Sequence, residues 1–270
     1  MTTKDAGRRA LLSLAYRRSR FEGKTLVGPY PRLYLPIARR GARGEPVGPD
    51  TDVVIEGFPR SGNTFATAAF DVALDTMTSD RPMIAHHIHA PSQVIAAARK
   101  GIPALVVIRH PEDAVVSLLI QQPHVTAGQA LRAYRRFYQP LLPYRDRFVL
   151  ASFEEVIRDF GAVIRRVNER FGVTFPIFDG SEASVRLALQ RIEAENRDRW
   201  GPGPDAELKG AFPSAVRDRM KEHHRSLYRR PALATSRARA EAVYIHLTQQ
   251  PHVSAERSPR WTGRRRRAPA

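Results

Sequence analysis

Residues 58–64 have the composition of an anion-binding loop. Pro59 and Gly62 favour a tight turn, and Arg60 supplies a positive charge that would neutralise a bound anion. An apolar, β-branched run at 53–55 indicates a buried strand before the loop, and a helical pattern follows it. Strand, glycine-containing loop and helix N-terminus together bind phosphate, because the loop amides and the helix dipole face the anion. Three further side chains of the loop could donate hydrogen bonds: Ser61, Asn63 and Thr64.

The glycine spacing of this loop is close to that of the P-loop of nucleoside triphosphatases. Gly57 and Gly62 bracket the turn, but Asn63 occupies the position where that motif has lysine. The P-loop lysine reaches the β- and γ-phosphates, so its absence argues against ATP or GTP hydrolysis. The pattern by itself also fits an ordinary strand–helix connection with a solvated arginine.

A second candidate anion site follows the apolar run at 104–108. Arg109 leaves this predicted strand, Pro111 stands where a helix would begin, and Ser117 lies about two turns inside that helix. An arginine and a hydroxyl that converge from a strand end and a helix face can hold a phosphate group. Ligands bind at the carboxyl ends of parallel strands, which is where both candidate sites fall.

Three histidines follow a short predicted strand near residues 83–86. If the backbone stays extended, His87 and His89 share one face of the strand, with His86 and Ile88 on the other. A histidine near an anion-binding loop suits general base chemistry, because its unperturbed pKa is about 6.5. A zinc site built by all three histidines is an alternative, although the alternation would divide them between two faces.

The pattern of apolar residues predicts a three-layer α/β/α domain with a central, mostly parallel sheet. Predicted strands cover 53–57, 83–86, 104–108 and 147–152, and they alternate with helices at 63–78, 91–100, from 111, 126–142 and 154–171. The chain is then helical at 182–195, 213–229 and 233–248, with a loop at 197–210. We expect a basic N-terminal extension at 1–50, with a covering strap or linker over 21–50, the α/β domain at 51–250, and a basic, flexible tail at 251–270.

The formal net charge of +17 is concentrated at the two ends of the chain. Residues 1–50 carry 11 Lys and Arg against 4 Asp and Glu, and residues 251–270 carry 6 against 1. Basic ends suit anionic polymers or acidic lipid headgroups, but nothing resembles a recognised nucleic-acid module, and we expect no specific nucleic-acid binding. A short amphipathic helix at 6–20 could lie on an acidic membrane, although packing on its own domain is the more common outcome.

Other features of the composition favour a cytoplasmic protein, with peripheral contact to membranes or other anionic surfaces as a further option. The sequence has no cysteine, which excludes disulfides and cysteine-ligated zinc. No apolar run reaches the roughly 18 residues of a membrane span, and residues 1–20 have no continuous apolar segment typical of a secretory signal.

The two anion sites together resemble the PAPS-dependent sulfotransferase family. Phe58–Phe65 resembles the family's 5′-phosphosulfate loop, and Arg109–Ser117 resembles its 3′-phosphate motif R-x-P-x-D-x-x-x-S, in the same order and the same strand–loop–helix setting. The resemblance covers residues 53–220. Asn63 stands where Thr or Ser is usual, and Arg60 replaces the lysine of the small-molecule enzymes, although arginine occurs in the carbohydrate and protein-tyrosine branches.

Two shorter segments are similar to further elements of that family. His87–Pro91 resembles the segment K-T-H-x-P, whose histidine is the general base, and this points to His89, with His87 at the lysine position. Arg199-Trp200-Gly201, ahead of a helix after Phe212, is similar to an R-K-G stretch that covers the 3′-phosphate. A plain surface loop would account for this second segment equally well.

The resemblance implies transfer of a sulfuryl group from PAPS to a hydroxyl or amine, with release of PAP and without a metal. The acceptor would be a small molecule, a glycan or a lipid. Arg60 and His89 would be catalytic, and the donor-binding residues would be Arg60, Ser61, Gly62, Asn63, Thr64, Phe65, Arg109, Ser117, Arg199 and Gly201. The alternatives are a P-loop kinase or NTPase and a non-catalytic protein that binds polyanions.

Overall fold

A four-stranded parallel sheet forms the centre of the computed structural model, which describes residues 3–41, 44–210, 212 and 214–249. The strands are β1 Val53–Gly57, β2 Ile84–His86, β3 Ala104–Ile108 and β4 Val149–Ser152, in the order β2-β1-β3-β4. Each of the three strand pairs is parallel. β1 and β3 are buried along their whole length, as the apolar runs at 53–55 and 104–108 predict, although β1 also buries Glu56.

Helices cover both faces of this sheet, and the predicted α/β class is confirmed. The helices are α1 Thr3–Val27, α2 Pro31–Gly41, α3 Asn63–Leu74, α4 Pro91–Lys100, α5 Pro111–Gln121, α6 Ala127–Tyr138, α7 Phe153–Arg158, α8 Phe160–Phe171, α9 Glu182–Trp200, α10 Pro204–Lys209, α11 Ala215–Tyr228 and α12 Ala234–Gln249. Within the described residues, none of these helices combines the length and the apolar character that crossing a membrane requires.

The two faces of the sheet belong to separate apolar clusters. Val54 and Val106 point into a cluster that contains buried residues of α2, α4, α5, α6 and α12. Ile55 and Val107, one position further along the same strands, point into a cluster with α3 and α8. Successive strand residues face opposite sides, so two five-residue strands are enough to hold both helical layers.

Two predicted helices are interrupted, each for a local reason. The helix predicted over 126–142 ends at Tyr138 and continues as a 3₁₀-helix at Gln139–Arg147, because Pro140 and Pro143 have no N–H for an α-helical hydrogen bond. The helix predicted over 154–171 is two helices that meet at Asp159, whose side chain accepts a hydrogen bond from Ala162 N and caps the second.

The N-terminal segment is more helical than the sequence predicts. The sequence predicts a covering strap or linker with no clear period over 21–50, and the lack of periodic structure is wrong, since α1 continues to Val27 and α2 follows it. Both helices pack on the domain: Glu22 of α1 pairs with Arg132 at 2.7 Å, and Tyr34 and Leu35 of α2 are buried in the core. The predicted tail at 251–270 lies outside the described residues, and the domain boundaries stay predictions.

Candidate active site

The predicted anion-binding loop connects β1 to α3 through a close approach to β3. A Cβ atom at Gly57 would lie 2.3 Å from the carbonyl oxygen of Val107, so only glycine fits there. Gly62 has a φ of +104° and precedes the first residue of α3, where no side chain caps the helix. Arg60 also has a positive φ, +70°, which turns its side chain out of the loop at a conformational cost. The loop therefore leaves helix amides open to a ligand.

Ser61 and Asn63 hold this loop from within. The hydroxyl of Tyr138 donates to Val107 O at 2.8 Å and accepts from Phe58 N at 3.2 Å, so the Ser61 hydroxyl, 3.2 Å away, is the donor of its pair with Tyr138. Asn63 Nδ2 donates to the carbonyl oxygens that begin the loop, at 3.0 and 3.2 Å. The side-chain hydrogens of both residues are thus engaged inside the loop, and the Ser61 amide donates to Phe58 O at 3.2 Å. The amides at the start of α3, beginning with Asn63, face the ligand side.

The loop opens on a cavity of about 1240 Å³ that also contains the second predicted anion site. Thr64, Phe65, Arg109 and Ser117 all line it, together with Arg60. Ser61 belongs to the same loop, but it is fully buried.

Two arginines converge on Ser117 inside this cavity. Arg60 Nε donates to Ser117 Oγ at 3.0 Å, and Arg217 Nη2 donates to the same oxygen at 2.8 Å. Both guanidinium groups also donate to the carbonyl oxygen of Gly210, at 2.9 and 3.3 Å. The two predicted anion sites consequently adjoin, with the Arg60 guanidinium directed towards the second.

Arg109 joins this cluster from the end of β3. Its Nη1 donates to the backbone oxygen of Arg60 at 3.3 Å, and its guanidinium lies over the Phe153 ring, 4.0 Å from the centroid. Its Nε is buried and has no hydrogen-bond partner in the part of the chain that the structure describes. Tyr134 donates to the carbonyl oxygen of Arg109 at 2.7 Å and so fixes the strand end.

The arginine cluster, Arg60, Arg109 and Arg217, concentrates positive charge. Nearby carboxylates act on Arg109 and Arg217 only from beyond salt-bridge distance. Burial, together with the charges of Arg217, Arg109 and Arg199, lowers the pKa of Arg60 to about 9. Among the described residues, none of the three cluster arginines forms a salt bridge. Like charges held this close are unfavourable unless an anion lies between them, so the cluster is built for an anionic ligand.

The histidine segment turns where an extended strand was expected. β2 ends at His86, and both His87 and His89 have positive φ values, +58° and +48°. Both nevertheless line the cavity, while Ile88 is buried in the core. His86 Nδ1 and His87 Nδ1 lie 2.8 Å apart, so these neighbours are in contact and do not face opposite sides. Within the described residues, no group of acidic and histidine side chains has the arrangement of a metal site.

The conformation of this segment is imposed by Glu56, the fourth residue of β1. Its carboxylate oxygen Oε2 accepts from Ile88 N at 3.2 Å, His89 N at 3.1 Å and Gln93 Nε2 at 3.1 Å. Burial raises the pKa of Glu56 to about 8, and hydrogen bonds and the charge of Lys24 oppose the shift. Glu56 therefore positions the histidines while it remains able to change protonation near neutral pH.

His89 has the tautomer that a general base needs. Its Nδ1 lies 3.0 Å from Gly57 O, which can only accept, so Nδ1 carries the hydrogen and the lone pair is on Nε2. Burial lowers the pKa of His89 to about 3, and the charge of Lys24 contributes. His87 is engaged at both ring nitrogens, since its Nε2 lies 3.3 Å from Thr64 Oγ1.

The segment Arg199-Trp200-Gly201 forms the end of α9 at the edge of the cavity. Arg199 lies over the Trp200 ring at 5.0 Å, and Lys209 Nζ lies 5.2 Å from the same ring. The charge of Arg199 lowers the pKa of His87 and His89 as well as that of Arg60, so this arginine lies near both the histidines and the arginine cluster. Gly201 ends the helix with a φ of +69°.

The sequence did not lead us to predict Arg217 as a site residue, although its position in the first turn of a helix is a detectable signal. Arg217 is 3% exposed and is the third residue of α11, where its N–H is capped by Ser214 Oγ at 3.2 Å. The first turn of a helix favours acidic side chains. A buried arginine there opposes the helix dipole, which is a reason to suspect an anion-binding role. Glu56 and Lys24 were also missed, and a lone glutamate within an otherwise apolar strand was the signal for Glu56.

Comparisons with known proteins find likeness to solved structures alone. No protein-family model matches this sequence, and no curated protein matches it. One solved structure that it resembles is that of the mouse sulfotransferase SULT7A1 complexed with PAP, at 12% identity and a TM-score of 0.39, over 73% of this chain and 90% of that chain. The function of this chain is therefore inferred from its own residues.

Proposed function

We propose that this protein is a PAPS-dependent sulfotransferase that transfers a sulfuryl group to a hydroxyl or amine and releases PAP. The observation that supports this most directly is the convergence of Arg60 and Arg217 on Ser117, beside Arg109 and in one cavity with the loop at 58–64. PAPS has anionic groups on both its 5′ and 3′ sides, so it would occupy adjoining cationic sites together.

Each part of the site has a separate role in this proposal. Arg109, Arg217 and Ser117 bind the 3′-phosphate and so select PAPS over ATP. The open amides at the start of α3 and the Thr64 hydroxyl bind the 5′-phosphosulfate. Arg60 lies between the two, and its charge stabilises the negative charge that grows on the leaving phosphate. Phe65, Arg199 and Gly201 border the donor.

In the chemical step, the acceptor oxygen or nitrogen attacks sulfur as the sulfur–oxygen bond to the 5′-phosphate breaks. The electron pair of that bond leaves with PAP, and His89 Nε2 takes the acceptor's proton. Bound PAPS brings negative charge to the cations that lower the pKa of His89, so donor binding makes this histidine more basic. His87 instead holds Thr64 in place through the 3.3 Å contact.

Titration calorimetry with PAP and with ATP, each with and without Mg²⁺, tests the proposal. We expect PAP to bind in the absence of metal at least about 100-fold more tightly than ATP, because a second phosphate adds charged hydrogen bonds. Mg²⁺-dependent binding of ATP would instead favour a kinase or NTPase. If heparin binds and neither PAP nor ATP does, a non-catalytic polyanion-binding protein is favoured.

The Arg217→Gln variant is expected to raise the dissociation constant of PAP about tenfold or more, because one charged donor to the 3′-phosphate is lost. Glutamine keeps an N–H donor for the carbonyl oxygen of Gly210, which accepts from Arg217, and this limits the effect on the fold. Arg219→Gln is the matched control, since Arg219 lies on the same helix and is exposed. Equal affinities in the two variants, measured by calorimetry, would remove Arg217 from the site.

A further inference from the structure

The two N-terminal helices expose an unusual concentration of apolar side chains. Seven large apolar residues between positions 11 and 37 are 52–69% exposed, whereas such residues elsewhere in the described chain reach 38–48%. The seven are Leu11, Leu12, Tyr16, Leu26, Tyr30, Leu33 and Ile37. They form what we call the N-terminal surface. Exposed apolar side chains in such number mark a site of interaction.

α2 and the second half of α1 are held firmly on the domain. On α2, Tyr34 and Leu35 are buried in the core while Leu33 and Ile37, one turn apart, are exposed on the other side. On α1, Glu22 accepts from Arg132 and Arg136, and Arg18 Nε donates to His124 O at 2.9 Å. α2 and the part of α1 from Arg18 onwards are thus held by one side and present the other, while Leu11, Leu12 and Tyr16 lie ahead of these contacts.

Basic residues accompany the exposed apolar ones. The guanidinium of Arg20 lies over the Tyr16 ring at 5.7 Å, and Arg40 follows Ile37 by three residues, on the same side of α2. Residues 3–41 contain ten Lys and Arg against two acidic residues, and one of those two, Glu22, is neutralised by arginines of α6. The N-terminal surface therefore combines apolar side chains with unbalanced positive charge.

This combination selects one kind of partner. A two-fold dimer through the N-terminal surface would bring two strongly basic segments together and would be opposed by repulsion. An acidic bilayer complements both features, because its headgroups attract arginine and its acyl boundary accepts apolar side chains. Amphipathic helices that lie on membranes have this composition.

We propose that the N-terminal surface docks the protein on anionic lipid bilayers. Leu33 and Ile37 of α2, with Leu12 and Leu26 of α1, enter the boundary between headgroups and acyl chains, and the arginines contact lipid phosphates. The opposite part of α1 lines the cavity through Phe21 and Lys24, so docking places the cavity close to the lipid surface. This inference is independent of the reaction proposed above.

Vesicle flotation with the full chain tests the docking. The vesicles are pure phosphatidylcholine or phosphatidylcholine mixed with phosphatidylglycerol. We expect binding to the mixed vesicles and at least a tenfold weaker binding to phosphatidylcholine alone. The double variant Leu33→Ser with Ile37→Ser is expected to bind the mixed vesicles about fivefold more weakly, because two inserted side chains are lost.

The matched control is Leu187→Ser with Ile245→Ser, which removes two exposed apolar side chains from other helices and is expected to bind as the wild type does. Equal loss in both double variants, or no loss in either, would overturn the docking and leave only attraction by the basic ends. A dimer in light scattering that the Leu33/Ile37 variant abolishes would also overturn it. Calorimetry with PAP on the same samples measures nucleotide binding, and so tests the proposed donor site separately from lipid binding.

Discussion

The Arg60→Ala variant is expected to lose at least about 1000-fold in kcat/KM for sulfuryl transfer while it keeps its fold. The loss arises because no other charge of the 58–64 loop can stabilise the leaving phosphate. The fold is spared because Ser117 Oγ and Gly210 O, which accept from Arg60, also accept from Arg217. Alanine bears the same backbone cost as arginine at this φ, and the substitution removes one of several repelling charges. Turnover of PAPS and thermal unfolding measure the two effects.

Two further variants separate the charge of Arg60 from its shape. Arg60→Lys keeps a cation in the loop and is expected to retain much more activity than Arg60→Ala. Arg229→Ala is the control for loss of an arginine, because Arg229 is exposed and pairs with Glu112 at 2.8 Å. Near wild-type transfer by Arg60→Ala would show that this residue has no catalytic role.

The strands and the anion-binding loop were predictable because their signals are local. β3 is a continuous apolar run and β1 is one up to Glu56, and the structure begins and ends both strands where the sequence predicts. The loop at 58–64 is defined by proline and glycine, whose conformational preferences hardly depend on the rest of the fold.

The missed features depend on contacts between distant segments. Arg217 reaches Ser117 across 100 positions of the chain, and no spacing rule reports such a pair. The histidine segment bends because Glu56, more than thirty positions earlier, accepts hydrogen bonds from its amides. α2 was hidden because it is apolar on two sides: one packs on the core, and the other forms the N-terminal surface.

A His89→Ala variant is expected to lower kcat by about 100-fold or more while leaving the affinity for PAP unchanged, because general base catalysis is lost and donor binding is not. His87→Ala is the comparison variant: it removes a histidine that contacts Thr64 and His86, and it is expected to cost less of kcat than His89→Ala. If His87→Ala loses the greater part of kcat instead, the base is His87.

The pH dependence of kcat should report the partner of this base, Glu56. The carboxyl is surrounded by Lys24 from α1, Tyr34 from α2, Tyr138 from α6 and His89 itself. With a pKa of about 8, Glu56 is protonated at neutral pH and becomes negative above it. The negative form stabilises the imidazolium that His89 becomes, so kcat should rise as the pH passes through about 8.

The Glu56→Gln variant distinguishes this charge effect from simple positioning. Glutamine keeps the shape of the protonated acid, so we expect the kcat of the variant to match that of the wild type near pH 6.5. The wild type should gain about tenfold in kcat above pH 8, and the variant should lack this rise. Stability gives a second readout: the folded state keeps the proton up to about 8 and the unfolded state only to 4.5. The free energy of unfolding of the wild type therefore falls between these pH values, and that of Glu56→Gln should fall less. A rise in kcat that survives in Glu56→Gln would assign it to another group and leave Glu56 a purely structural residue.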